Sequence, residues 1–300
     1  MSPVLELTDI VKSFDRRKVV DKISLSLERG EAFGLVGPNG SGKTTTIRIA
    51  LDIIRPDSGD ISLLDGMPTR DALSRVGYLP EERGLYQRSK VIDILKYLGR
   101  LKRLASSTAQ ARSEEMLRRV GLYEHRASKV QAMSRGMAQL VQFAGALIHR
   151  PELIILDEPF SGLDPLNVRL MKDIIREQQE RGAAVIFSTH QMADVEELCE
   201  RVLLISDGKP LLYGRLDDLK RARGAHTVRV KAGRRPADIA GVERADDRSG
   251  YFEYRLGQEK QADAVIRAFL DAGIHVESYD VALPTLNEIF IDEVSRARGV

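Results

Sequence analysis

Cysteine is almost missing from this 300-residue chain, where Cys199 stands alone. A single thiol excludes an internal disulfide and any multi-cysteine metal cluster, in keeping with a reducing compartment, and Cys199 itself reads as a small apolar filler. Long apolar runs are missing as well. The longest stretch without Asp, Glu, Lys or Arg extends from Gly136 to His149, short of the roughly 20 apolar residues of a membrane-crossing helix, so no segment is expected to span a bilayer. The opening residues MSPVLELTDIVKSFD carry acids early and no apolar core of signal-peptide type, so the chain is expected in the cytoplasm. Charge of one sign is lacking too. Against 44 acidic residues stand 46 basic ones, a formal net charge of +2, which provides no global field to collect nucleic acid. Any anion bound here must be held by local geometry. What is present, 43% hydrophobic and 30% charged residues, describes a folded chain with material for one large domain or two smaller ones.

The apolar run Ala32-Phe-Gly-Leu-Val36 has buried-strand character and leads directly into Gly37-Pro38-Asn39-Gly40-Ser41-Gly42-Lys43-Thr44, followed by helix-compatible residues from Thr45 onward. Strand, glycine loop and helix in that order form the phosphate-binding P-loop, Gly-x4-Gly-Lys-Thr. Gly37, Gly40 and Gly42 let the backbone take positive φ and approach a phosphate without a side chain in the way. Loop N–H groups and the helix N-terminus then converge on one concavity that favours a polyanion. Lys43 adds a point charge for the β and γ phosphates, and Thr44 offers its hydroxyl to a bridging Mg2+.

A second aliphatic strand, Leu153-Ile-Ile-Leu156, ends in Asp157-Glu158. Four aliphatics place it in the sheet centre, so Asp157 emerges at the carboxyl edge beside the P-loop, where ligands of open α/β sheets bind. Asp157 is the candidate metal-side acid, and Glu158 the candidate base that orients or deprotonates an attacking water. A third strand, Ala183-Ala-Val-Ile-Phe187, leads to Ser188-Thr-His190 and brings a titratable ring to the same edge.

In their order these residues resemble the ATP-binding subunit of an ATP-binding cassette (ABC) transporter, over roughly the first 215 residues. Gly77-Tyr-Leu-Pro-Glu81 is similar to the family's Q-loop, with Glu81 in place of glutamine. Met133-Ser-Arg-Gly-Met-Ala-Gln139 is similar to the LSGGQ signature, in which Ser134 and Gly136 remain and open a helix beginning near Met137. Asp157 and Glu158 match the Walker B pair, Ser161-Gly-Leu-Asp164 the D-loop, and His190 the switch histidine. Phe14 lies 23 positions before Gly37, where family members place an aromatic that stacks on adenine; its π-face suits a purine, and a core position suits it equally. The resemblance implies that Ser134 and Gly136 receive the ATP held by a second copy's P-loop, so that two chains close head to tail around two nucleotides. Asp164 then reaches across to the second copy, or caps the helix that begins at Pro165, or does both. Glu81 can ligate magnesium, at the cost of negative charge close to a triphosphate.

Residues from about 88 to 150 carry leucine, lysine and arginine at helical spacing and form the expected helical subdomain, which by resemblance contacts the membrane partner. Lys220 to Gly224 reads as a connector. Beyond it His226-Thr-Val-Arg-Val230 and Tyr251-Phe-Glu-Tyr254 read as strands, Ala262 to Leu270 as an amphipathic helix, and Thr285-Leu-Asn-Glu288 as a capping box opening a last helix. From Ala225 onward 11 basic residues face 13 acidic ones, which disfavours a nucleic-acid role. The segments PTLNEIF and GYLPEERGLY resemble ATPase subunits of two-component bacterial exporters of the sodium-extrusion and drug-efflux kind. The expected architecture is an α/β P-loop ATPase core over 1–219, a linker at 220–225 and a small α+β domain over 226–300. The expected activity is hydrolysis of Mg-ATP at a homodimer interface, coupled to transmembrane permease subunits at the inner face of the cell membrane. The alternatives are a soluble ABC ATPase that remodels ribosomes or nucleic acid, and a module that binds ATP without hydrolysing it.

Overall fold

The computed structural model describes residues 3–67, 69–82, 84–223, 226–236, 239, 242–248, 251–256 and 262–298. Its contacts divide the chain into two units, Met1–Tyr213 and Gly214–Val300. In the first, three antiparallel strands, β1 (Leu5–Phe14), β2 (Arg17–Leu27) and β4 (Ser58–Leu63), form a sheet in the order β2-β1-β4. A second sheet has the order β5-β6-β7-β3-β8-β9, from β3 (Ala32–Val36), β5 (Val76–Leu79), β6 (Leu153–Asp157), β7 (Ala184–Thr189), β8 (Arg201–Ser206) and β9 (Lys209–Arg215). Every residue of β3, β6 and β7 is buried. This is why they read as unbroken aliphatic runs, since a parallel strand covered on both faces has no solvent side to mark with polar residues. One core joins the two sheets through Leu5, Leu7, Ile10, Ile23, Phe33, Leu35, Ile155 and Ile186, with Ile47 and Ile49 of α1 (Lys43–Ala50). Each such side chain contributes about 1.5–3 kcal/mol by leaving water.

Sheet register positions the site. The pairs Val36 with Thr189 and Asp157 with Ser188 lie level with one another across parallel strands. The residues that follow, the Gly37 loop, Glu158 and His190, therefore leave the sheet at one edge. Strand β7 runs from Ala184 to Thr189, one residue later at its start and two later at its end than the expected 183–187, because Ser188 and Thr189 continue the ladder with β3 and β6.

The expected helical subdomain is built from α3 (Val91–Leu101), α4 (Ser106–Arg119) and α5 (Arg135–Leu147), after the short α2 (Thr69–Ser74). Helix α5 is buried from Ala138 to Leu147, which accounts for the longest uncharged stretch in the chain. Two further helices, α6 (Pro165–Glu180) and α7 (Met192–Leu198), flank β7 in sequence. Cys199 is buried, and burial pushes its thiol well above the usual range, as suits a filler.

In the second unit the expected linker at 220–225, and with it the boundary at 219, is corrected. Residues 216 to 222 form a helix, α8 (Leu216–Ala222), and Gly224 and Ala225 lie outside the described residues. Asp217 and Asp218 in its first turn and Lys220 and Arg221 in its last complement the helix dipole, and Leu216 is buried. A charge run that resembles a connector is therefore a solvated helix face. Four strands follow in the order β11-β12-β10-β13, from β10 (His226–Ala232), β11 (Val242–Arg248), β12 (Tyr251–Leu256) and β13 (Val276–Ala282). Helix α9 (Ala262–Asp271) packs Val265 and Phe269 against Val228, Val230 and Tyr254. The capping box opens α10 (Leu286–Arg298): Thr285 N donates to Glu288 Oε2 at 2.8 Å, and Glu288 N donates to Thr285 Oγ1 at 3.2 Å. Among the described residues no helix is long and apolar enough to cross a membrane.

Candidate functional site

Between β3 and α1 the glycine loop turns through Gly37, Gly40 and Gly42 at φ 156°, 75° and 109°. A Cβ at Gly37 would collide with the Ile205 carbonyl oxygen, and one at Gly42 would stand 2.5 Å from that of Val19; the loop is pressed against neighbouring backbone and must be glycine. Lys43 is buried and folds back over the loop, donating from Nζ to Gly37 O at 2.8 Å and Pro38 O at 3.1 Å, 3.9 Å from Glu158 Oε1. Burial pulls its ammonium below the usual lysine range, while the charges of Glu158 and Asp157 pull the other way. A cleft of about 300 Å³ opens here, lined by Val19, Asn39, Gly40, Gly42, Lys43, Thr44, Thr45, Glu81 and Glu158. Glu81, exposed at the end of the β5 segment, thus faces the same space as the P-loop.

Asp157 is fully buried. Its Oδ1 accepts from Thr44 Oγ1 at 3.3 Å and from Ser188 Oγ, whereas its Oδ2 is buried with no partner among the described residues, as is the Ser41 hydroxyl inside the loop. A buried carboxylate oxygen left empty beside a threonine hydroxyl fits a hard divalent cation, which takes oxygen ligands and removes the cost of the orphaned atom. Glu158 follows at φ 47°, a left-handed backbone that is strained for a side chain of this size. Both its carboxylate oxygens pair with His190 Nδ1, at 3.0 and 3.1 Å. The His190 side chain is 47% exposed against 9% for Glu158, so an acid buried in the cleft wall is paired with a ring that is open to solvent; His190 itself does not line the cleft.

The remaining candidates lie elsewhere. Phe14, at the end of β1, is 44% exposed, which removes the core alternative; it does not line the cleft. Ser134 caps α5, accepting from Met137 N at 3.2 Å, so the helix begins at Arg135 and not near Met137. Asp164 caps α6, accepting from Leu166 N and Asn167 N, each at 3.1 Å. Ser134 and Asp164 are exposed, and neither they nor Gly136 line the cleft.

Three polar residues are tied into the site that motif matching does not single out. Ser188 bonds Asp157. Gln139 Nε2 donates to Pro159 O and Gln142 Nε2 to Glu82 O, each at 3.3 Å, tying α5 to the two acid-bearing loops. The signal available in the sequence was polarity within apolar surroundings: a serine at the end of an aliphatic strand, and glutamines three apart in the longest uncharged stretch.

A glycine loop after the parallel strand β3, a buried lysine over it and an acid pair at the end of β6, one strand removed across β7, define a P-loop nucleotide-binding ATPase. Comparison with known proteins narrows the class. Residues 20–161 match the ABC transporter family model, and residues 214–294 the model described as ATP-binding protein DrrA1-3-like, C-terminal domain. An uncharacterised ABC transporter ATP-binding protein of Bacillus subtilis is 36% identical over 97% of this chain and 98% of its own length. The daunorubicin resistance ATP-binding protein of Streptomyces coeruleorubidus is 31% identical over 93% and 92%. A solved structure of the ATP-binding subunit of an ABC transporter aligns with TM-score 0.69 at 30% identity, covering 73% of this chain and 93% of that one. The chain belongs to the ABC transporter ATP-binding family and is an ATPase of that type, the ATP-binding subunit of a transporter.

Proposed function

We propose that this chain powers a membrane exporter: two copies close head to tail around two Mg-ATP molecules, and the cycle of closing and release drives separate transmembrane subunits. The observation that carries this reading is the division of the motifs. The P-loop, Glu81 and Glu158 line one cleft, while Ser134 and Asp164 stand exposed at helix starts away from it. A hydroxyl, backbone N–H groups and a helix N-terminus suit the outer face of a triphosphate held by another copy.

Within each cleft the loop amides and Lys43 hold the phosphates, and Phe14 stacks on the adenine. Thr44 and Asp157, with Glu81 beside them, hold magnesium, which neutralises charge on the transferring phosphoryl group. Glu158 orients the attacking water and accepts its proton, and His190 fixes the Glu158 carboxylate and contacts the γ phosphate. Positioning and charge neutralisation then supply the catalysis, with no covalent intermediate on the protein.

The daunorubicin-resistance relative and the DrrA-like second unit support a drug as the exported substrate; the sodium alternative rests on the segments GYLPEERGLY and PTLNEIF alone. An apolar cleft of about 310 Å³, lined by Tyr78, Leu85, Leu98, Leu101 and His149 among others, supports contact of the helical subdomain with the membrane partner. The C-terminal unit serves regulation or dimer stability, and the subunit works at the inner face of the cell membrane. Extraction of the full chain in gentle detergent tests the reading. A transmembrane protein that copurifies and raises phosphate release supports it; recovery with ribosomes or nucleic acid, and no membrane protein, overturns it in favour of remodelling.

A further inference from the structure

A hydroxyl inside the central sheet needs a reason. Ser188 is the fifth residue of β7, after Ala184, Val185, Ile186 and Phe187, and is fully buried between Leu35 of β3 and Asp157 of β6. A small aliphatic side chain would fill the position without the cost of desolvating a hydroxyl, about 1–3 kcal/mol where unsatisfied. The hydroxyl is satisfied on both sides. Its proton goes to Asp157 Oδ1, because an ionised carboxylate can only accept. Its oxygen receives the Glu158 N–H at 3.3 Å, and the same N–H reaches Ser188 O at 3.1 Å.

Two consequences follow for the acid pair. Oδ1 of Asp157 is occupied by the hydroxyls of Ser188 and Thr44, which leaves the unpartnered Oδ2 as the free ligand atom. Meanwhile the Glu158 peptide, in its left-handed turn at φ 47°, is hooked onto β7 through a shared N–H. Strained backbone persists where surrounding bonds over-determine it.

We propose that Ser188 is the positioning residue of the site: through its one hydroxyl it sets the orientation of the Asp157 carboxylate toward the metal and holds the turn that carries Glu158. This rests on the roles given to Asp157 and Glu158 above. Groups that orient metal-binding carboxylates are worth about 10–100-fold in metal affinity or activity.

The full-length chain is compared as wild type, Ser188→Ala, Ser188→Cys and Ser188→Thr. A fluorescent ATP analogue is titrated in excess magnesium and in EDTA, phosphate release is followed across magnesium concentrations, and thermal melting checks folding. Ser188→Ala is expected to raise the magnesium concentration for half-maximal nucleotide binding about tenfold and to lower kcat about tenfold. Affinity in EDTA should stay within about twofold, since the loop amides and Lys43 are untouched. Ser188→Thr, which keeps the hydroxyl, should recover both quantities to within about threefold of wild type. Should the alanine variant fail to fold, Ser188→Cys, close in size and a weak donor, should show the same magnesium defect. An unchanged magnesium requirement in Ser188→Ala, or in Ser188→Cys where alanine does not fold, overturns the proposal, as does a threonine variant no better than alanine. Asp157→Asn separates the two levels. If it abolishes the magnesium effect while Ser188→Ala does not alter it, the positioning role alone falls; if Asp157→Asn also leaves it intact, the metal-side reading falls with it.

Discussion

At the sheet edge, Lys43, Asp157, Glu158 and Ser188 are buried, and the candidate side chains spend their polar atoms within the site: Thr44 and Ser188 on Asp157, the exposed His190 on Glu158, Lys43 on the loop carbonyls. On the helical side, Ser134 and Asp164 are exposed and spend their oxygens on the first turns of their own helices. The first arrangement depends on long-range register between β3, β6 and β7; the second on residues two or three positions away. A site assembled by register is preorganised within one chain. Capped helix starts are ordered before any ligand arrives, yet they meet the nucleotide in the proposed dimer only when a second copy closes.

The sharpest way to break this comparison is Glu158→Gln. It should lower steady-state phosphate release on the order of a thousandfold while ATP binding is kept, leaving a dimer that sizing chromatography resolves with Mg-ATP; full turnover would remove Glu158 from its role.

A second test addresses the joint between the two sides, where His149 Nε2 pairs with Val76 O at 3.1 Å. Burial, helped by the Lys102 charge, brings this imidazole down from 6.5 to about 4. The unfolded chain takes up the proton first as pH falls. His149 therefore costs no stability above pH 6.5, costs progressively more between 6.5 and 4, and adds nothing further below that, a total on the order of 3 kcal/mol. The urea midpoint of wild type should fall relative to that of His149→Gln as pH drops through this window, and parallel curves would refute the assignment.

Lys43→Ala comes next, with nucleotide affinity weakened about thirtyfold through loss of a charge-assisted contact; a calorimetric titration with unchanged affinity would overturn the phosphate assignment. Ser134→Ala is the smallest effect and the most discriminating. Stability should fall by about 1 kcal/mol from the lost cap and turnover about tenfold, with Mg-ATP affinity of the single chain within about twofold. Equal losses of binding and turnover would place Ser134 in the cleft of its own chain and erase the contrast.

Legibility followed range. The P-loop, the Asp164 cap before Pro165 and the capping box at Thr285 each lie within a few residues, and all three read correctly because their partners are near in sequence. Helix α8 carries little apolar signal, with two acids and two bases among its seven residues, and its last residues therefore resemble a connector in the sequence. Strands β11 and β13 are hard to read for a related reason: they form the two edges of their sheet, where polar sequences such as Val242-Glu-Arg-Ala-Asp-Asp-Arg248 are tolerated. For Phe14 the sequence suits purine stacking and a core position equally, and only its exposure in the fold removes the core.

The sequence by itself determined the chemistry of the cleft, because glycine φ, a lysine charge and a strand-ending acid pair are properties of short segments. Tertiary structure decided which oxygen of Asp157 is left free, which hydroxyl holds the other, and that the glutamines of α5 reach both acid-bearing loops. Those contacts join residues 20 to 113 positions apart, and the packing of strands and helices is what brings them within hydrogen-bonding distance.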